Sequence, residues 1–308
     1  MFSKKLLIPL LSLSLLVTPA YSSHAAENAE AAGTSVEGQG MLSPSSSSES
    51  SESVFNGSGA GTSSEPVTDE KLETILKQVQ SQLPAENGTW AVFISDLVNG
   101  TEGSLNDQKM QAASLIKLYI MGAVYENYDQ ITGQYGRDSV DSNLYSMITV
   151  SDNDAANILT TYLGGGDSAA GMQAVNSFCQ AHGYDQTHMG RMLLASNEND
   201  DNYTSVGDCG HLLQEIYKQD TSGYTHAADM FNLLKAQTRC NKIPAQLPEG
   251  VKTANKTGEL DNVENDAGII YDSKNDVVIV FMSQNLSSAG SAQNTIATLS
   301  RTIYDYYN

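Results

Sequence analysis

Positive charge is scarce in this chain of 308 residues: 16 Lys and Arg stand against 36 Asp and Glu, a formal net charge of −20. Binding a phosphate backbone takes clustered Lys and Arg that displace its counterions, and no basic stripe exists here, so nucleic acid is not an expected partner. The acidity argues for solubility rather than for a particular substrate. Histidine is sparse as well. His24, His182, His188, His211 and His226 contain no H-E-x-x-H and no close pair, so neither a metal site nor a metal cofactor is expected. Gly164-Gly165-Gly166 has no strand before it and no G-K-[ST] after it, which makes it a turn between helices and not a phosphate loop; no cofactor is implied. Long apolar runs are missing too. The stretch from Leu6 to Val17 is short and broken by Pro9, Ser12 and Ser14, too little for a membrane span. Cysteine occurs three times, as Cys179, Cys209 and Cys240, none in a catalytic motif, so a thiol nucleophile is a poor expectation.

What is present divides into three parts. Residues 1–25 read as a signal peptide: Lys4 and Lys5, the apolar run, then Ser23-His24-Ala25 as a small-x-small cleavage site with no cysteine beside it for a lipid anchor. Secretion to the cell envelope or beyond, with no transmembrane anchor after cleavage, is the expectation. Without Lys4 and Lys5 the chain has 14 basic and 36 acidic residues, a net charge of −22. Residues 26–67 change character: six glutamates, no Lys or Arg, and eight serines among the eleven residues from Ser43 to Ser53. Such a segment cannot bury enough apolar surface to fold and reads as a disordered, acidic Ser/Gly/Glu-rich tether. Residues 68–308 suit one domain, expected to be monomeric.

Within that domain, Leu72, Ile75, Leu76, Val79 and Leu83 follow helical spacing from about Thr68. Trp90 to Leu97, ahead of Asn99-Gly100, predicts the first strand. The apolar runs Asp266–Tyr271 and Val277–Met282, split by a polar turn, predict a β-hairpin, and Ile296, Leu299 and Ile303 predict a C-terminal helix. Cys209 opens one helix and Cys240 closes the next; in an antiparallel helical hairpin those ends meet, so a Cys209–Cys240 disulfide is expected, with Cys179 a buried free thiol.

Three short motifs carry the chemistry: Ser114-Leu115-Ile116-Lys117, Ser151-Asp152-Asn153 and Lys256-Thr257-Gly258. Ser114 opens a helical run, and Lys117, three residues on, shares its helix face. The positive end of the helix dipole and partial burial both disfavour an ammonium there, which pushes the amine towards a neutral base able to activate the hydroxyl. S-D-N also makes a good Asx-type helix cap, so that motif has a purely structural reading beside the chemical one.

In this order the three motifs resemble the penicillin-recognising serine hydrolases, most closely the class A β-lactamases. The resemblance spans nearly all of residues 68–308. It implies an α+β fold, an antiparallel sheet flanked by terminal helices plus an all-α subdomain. It also implies Ser114 as nucleophile, Lys117 as base and Ser151 as proton relay to the leaving nitrogen. Asn153 would hold the substrate amide, Lys256 and Thr257 its carboxylate, and Gly258 would permit close backbone approach. The backbone N–H groups of Ser114 and Glu259 would form the oxyanion hole. The implied activity is β-lactam opening through an acyl-enzyme. Related readings are a D-Ala-D-Ala carboxypeptidase or esterase of the cell wall, or a penicillin- or peptidoglycan-binding module without turnover. The family's E-x-x-x-N element, whose Glu positions the deacylating water, is matched in spacing by Glu198 and Asn202 in a shortened loop. There Asp200 and Asp201 equally suit a solvated acidic turn, and Tyr203-Thr204-Ser205 is expected to start the next helix at once. Only 37 positions separate Ser114 from Ser151, fewer than in the family pattern, so that wall of the pocket is expected to be cut back.

Overall fold

Asp69 opens the domain's first helix, its carboxylate accepting hydrogen bonds from the Lys71 and Leu72 N–H groups at 3.0 and 3.4 Å. The computed structural model describes residues 69–219 and 224–308; the leader expected over 1–25 and the tether over 26–67 lie outside them. That helix is α1 (Glu70–Gln82), and it buries Leu72, Ile75 and Val79, the positions its spacing picks out. The first strand is β1 (Thr89–Asp96), which turns back at Asn99-Gly100 into β2 (Thr101–Leu105). A two-residue strand, β3 (Met110–Gln111), then leads through a 3₁₀ turn at Ala113–Leu115 into α2 (Ile116–Glu126).

The middle of the chain is helical: α3 (Tyr128–Tyr135), α4 (Arg137–Thr149), α5 (Asn153–Leu163) and α6 (Ser168–Ala181), with the triple glycine as the turn between α5 and α6. After an irregular loop comes β4 (Tyr203–Thr204), which pairs with β3, so Tyr203-Thr204 first closes a small ladder and only Ser205 caps the next helix. That helix is α7 (Val206–Lys218), followed by α8 (Ala227–Lys235). The strands β5 (Lys252–Leu260), β6 (Val263–Tyr271) and β7 (Val277–Gln284) and the terminal α9 (Ala289–Tyr307) complete the fold.

The five long strands form one antiparallel sheet in the order β2-β1-β7-β6-β5. Side chains alternate across β1: Trp90, Val92 and Ile94 join the core under α1 and α9, while Ala91 and Phe93 face the larger core shared with α2 and α7. Helix α2 is buried around nearly its whole circumference, Lys117 included, so its amine is enclosed on every side. No helix among the described residues is long and apolar enough to cross a membrane.

The expected Cys209–Cys240 disulfide does not form; all three cysteines are free thiols. Helices α7 and α8 do pack together, but Cys209 points into the core, where its Sγ accepts from the Tyr119 hydroxyl at 3.4 Å. Cys240 lies five residues past the end of α8 and is exposed. The chain leaving α8 is drawn towards α4 by hydrogen bonds from Gln237 Nε2 to Ile148 O and from Thr238 N to Thr149 O, both 3.0 Å.

Candidate active site

Ala113 sits at φ +48°, in the left-handed region a non-glycine residue rarely adopts, immediately before Ser114. Strain of this kind persists only where neighbours impose it. Here Ala112 N donates to Asn202 O at 2.9 Å, and Asn265 Nδ2 donates to both Gln111 O and Ala112 O at 2.9 and 3.2 Å. From the other side β5 presses in at Gly258, where a Cβ would stand 2.9 Å from Ala112 O and 3.2 Å from Ser114 N. The bare glycine thus brings the Ser114 and Glu259 residues to one cavity of about 300 Å³, also lined by Asn153, Arg191, Leu193 and Leu194. The Ser114 hydroxyl has no hydrogen-bond partner among the described residues.

Lys117, one turn along α2, is fully buried, and its three contacts all lie on the S-D-N segment: Ser151 O at 2.7 Å, Ser151 Oγ at 3.1 Å and Asn153 Oδ1 at 2.7 Å. Ser151 is itself held at φ +61°, and the bond from Lys117 to its carbonyl helps pin it. Lys256, also fully buried, donates to the same Ser151 Oγ at 2.9 Å and to Thr257 O at 2.7 Å. Neither amine has a carboxylate partner among the described residues. Burial, then the nearby Arg239 charge, pushes the Lys117 amine down to about 7, with Asp152 opposing. Burial, then the proximity of Lys117, lowers Lys256 well below its ordinary value. Asp152 caps α5 through Ala155 N at 2.8 Å, so one motif serves as both helix cap and lysine ligand.

Glu198 is not brought to this cavity. It is exposed, its N–H donates to Ser196 Oγ at 3.3 Å, and Asn202 Oδ1 instead accepts from Gly190 N and Arg191 N at 3.1 and 3.2 Å. Residues 198–200 of the expected E-x-x-x-N element are thus an exposed acidic turn, while Asp201 and Asn202 are buried. Its loop is pinned elsewhere: Arg191 Nε bonds Asp201 Oδ1 at 2.7 Å, while Gln111 Nε2 reaches Asp201 Oδ2 at 3.0 Å. The wall this loop offers the cavity runs from Leu193 and Leu194 to Ala195, Ser196 and Asn197, with Arg191 beside it, and carries no carboxylate. Asn157 clamps Leu193 from both sides, accepting from its N–H at 2.8 Å and donating to its carbonyl at 3.0 Å.

Sequence reasoning missed the cations beside Glu259. Arg239 Nη1 bonds Glu259 Oε2 at 2.9 Å, and Lys242, fully buried, lies 3.1 Å from Glu259 Oε1 and 2.6 Å from Glu264 Oε2. Burial pushes the Glu259 carboxyl up, but Lys242 and Arg239 outweigh it and leave the group below its ordinary value. Its charge is thereby neutralised, as a backbone oxyanion donor at this position requires. A glutamate directly after K-T-G was a signal that such cations had to exist. Lys256 and Thr257 are both buried and neither joins the cavity's lining, which makes the exposed Arg239 guanidinium the outermost positive group at this edge.

A serine behind a strained alanine, two buried lysines around a second serine, and a glycine-thinned strand define a lysine-assisted serine site on a β-lactamase/transpeptidase-like fold. The model of the Beta-lactamase enzyme family matches residues 71–138 and 134–307, and the chain belongs to that family. Among solved structures, PBP-A is 22% identical with a TM-score of 0.67, covering 76% of this chain and 96% of that one. A β-lactamase from Sphaerobacter thermophilus DSM 20745 is 22% identical at a TM-score of 0.63 over 75% and 95%. The ancestral class A β-lactamase GNCA is 20% identical at 0.65 over 75% and 99%. Comparison with curated proteins finds no match.

Proposed function

We propose that the chain is a secreted serine hydrolase in which Ser114 is acylated by β-lactams and by D-Ala-D-Ala-like peptide or ester ends. The observation that carries the reading is Lys117: a buried amine without a carboxylate partner, one turn from Ser114 and in contact with the Ser151 hydroxyl. Ser114 Oγ attacks the carbonyl carbon while neutral Lys117 takes its proton, and the N–H groups of Ser114 and Glu259 receive the developing oxyanion. The carbon–nitrogen or carbon–oxygen bond then breaks, and Ser151 Oγ delivers the proton to the leaving atom. Asn153 holds the substrate amide with the NH₂ that Lys117 leaves free, and the exposed Arg239 guanidinium forms the positive edge for its carboxylate, with Thr257 and Lys256 buried behind it.

Hydrolysis of the acyl-enzyme needs a base for water, and the Leu193–Leu194 wall supplies no carboxylate. This supports a long-lived β-lactam adduct, with Lys117 as the remaining base. It favours the cell-wall carboxypeptidase or esterase reading over an efficient β-lactamase. Intact-protein mass spectrometry with a penicillin, followed over time with Ser114→Ala as control, tests both. A persistent Ser114-dependent adduct is the expected result. An adduct that vanishes as hydrolysed drug accumulates would make the protein a working β-lactamase. No adduct would overturn the β-lactam reading.

A further inference from the structure

A second cavity, of about 380 Å³, opens between α4 and α8, away from Ser114. That volume falls in the range of small-molecule sites, roughly 300–1,000 Å³. Its floor is an aromatic stack: the His226 ring centroid lies 5.0 Å from that of Tyr125 and 4.9 Å from that of Tyr128, and Tyr125 and Tyr128 stack at 5.5 Å. Tyr145 stands on the α4 side 55% exposed, and its hydroxyl has no partner among the described residues. An exposed ring beside a cavity, stacked on no other ring among the described residues, suits a ligand's face.

The polar groups around these rings narrow the chemistry. Arg137 stacks over Tyr128 at 5.0 Å and donates to its hydroxyl at 3.0 Å, so a cationic ligand would meet a guanidinium already on that ring. Asp141, which accepts from the Tyr128 hydroxyl, and Asp229, which bonds His226 Nδ1 at 2.8 Å, both line the cavity and repel an anion, and a purely apolar molecule would cover their remaining polar edges without hydrogen-bonding them. What fits is a neutral molecule rich in hydroxyl and amide groups with an apolar face to lay on a ring. That describes a pyranose.

Position gives the cavity its meaning. Helix α4 delivers Ser151, and Tyr145 precedes it by six residues, roughly 10 Å along the chain's rise. The segment after α8 closes the cleft at that end through its bonds to Ile148 and Thr149. The α4–α8 cavity is therefore separate from the one at Ser114, with which it shares no lining residue.

We propose that the cleft between α4 and α8 is a saccharide-binding subsite, in which Tyr145 stacks on a sugar ring and Asp141 and Asn232 hydrogen-bond its hydroxyl and amide groups. It stands independently of whether Ser114 accepts β-lactams. The test is a titration of the full chain with a soluble N-acetylglucosamine tetramer, read by calorimetry. Saturable binding is expected, weakened at least about tenfold in Tyr145→Ala and in Asn232→Ala, with the melting temperature and the rate of Ser114 acylation by penicillin unchanged. Binding that survives prior acylation of Ser114 supports the subsite, and binding abolished by acylation overturns it. No saturable binding, equal affinity in both variants, or preferential binding of tetramethylammonium would each overturn it as well.

Discussion

Lys117 Nζ and Lys256 Nζ converge on one hydroxyl, Ser151 Oγ, at 3.1 and 2.9 Å. Two ammonium groups cannot share a dry hydroxyl cheaply, so Lys117 depresses protonation of Lys256 on top of the larger effect of burial, while Lys117 itself is lowered by burial and then by Arg239. With Lys117 brought down to about 7, acylation is predicted to rise through that pH. The base form is the active one, so the rate falls about tenfold per unit below it. Acylation rates measured from pH 5.5 to 9 check this, and a profile flat from 6 to 8 would remove Lys117 as the base.

The same depressed value makes stability depend on pH. The folded chain releases the Lys117 proton near 7, whereas the unfolded chain holds it to the ordinary value of 10.5. Between those limits the unfolded state binds more protons, so the native state gains stability as pH rises and loses it as pH falls. Urea unfolding at pH 7.5 and 9.5 should show the wild type gaining about 2 kcal/mol relative to Lys117→Met over that interval. Parallel pH dependence in the two proteins would contradict the assignment.

Leu193→Glu is predicted to shorten the acyl-enzyme's lifetime. Asn157 fixes the Leu193 backbone against the cavity through two hydrogen bonds, so a carboxylate at this position starts from a held main chain. A positioned general base is worth roughly 10²–10⁴-fold, and even partial success gives tenfold faster loss of a penicillin adduct. An adduct as persistent as in the wild type, in a variant that still folds, would show that the Leu193 wall does not limit deacylation.

The fold was legible because its signals are local and redundant. The helical spacing of Leu72, Ile75 and Val79, the hairpin of 266–282 and the three motifs in order each point to the same architecture. Partial burial of Lys117 followed from an apolar helix; the full burial of Lys256, expected at the substrate carboxylate, did not show in its polar strand. The wall of the site was not legible. Glu198 and Asn202 have a suggestive spacing, yet Asn202 is consumed by the backbone of Gly190 and Arg191, and only the folded loop shows that Leu193 faces inward. Arg239, Lys242 and Glu264 were missed for the same reason: the pairing of Arg239 and Lys242 with Glu259, and of Lys242 with Glu264, crosses three segments that share no sequence pattern. The disulfide failed because, although the two helices are adjacent, Cys209 points into the core and α8 ends at Lys235, five residues before Cys240.

Gly258→Ala should injure the site more than its size suggests. The added methyl would meet backbone, Ala112 O at 2.9 Å and the Leu115 and Ser114 nitrogens at 3.2 Å, none of which can rotate away. Overpacking of this kind costs about 1–3 kcal/mol, and β5 must back off from the nucleophile turn, spreading the Ser114 and Glu259 N–H groups. Loss of one oxyanion donor lowers rates roughly 10²–10³-fold. Thermal unfolding and acylation kinetics together test this. A lowered melting temperature with an unchanged acylation rate would mean the two donors do not depend on this contact.

Thiol chemistry gives a direct check on the cysteines. Cys240 is exposed, with only a weak contact from its Sγ to Thr238 O at 3.7 Å. Cys179 and Cys209 are buried, and burial pushes both thiols up, Cys209 to about 12, so neither forms a thiolate near neutral pH. Iodoacetamide should therefore label Cys240 alone in the native protein, with all three labelled once the chain is unfolded in urea without any reductant. Cys240→Ser should leave the melting temperature unchanged under oxidising and reducing conditions alike. If the unfolded, unreduced protein accepts only one label, two of the sulfurs are already joined. The Tyr119–Cys209 contact would then have to open to let Cys209 out of the core.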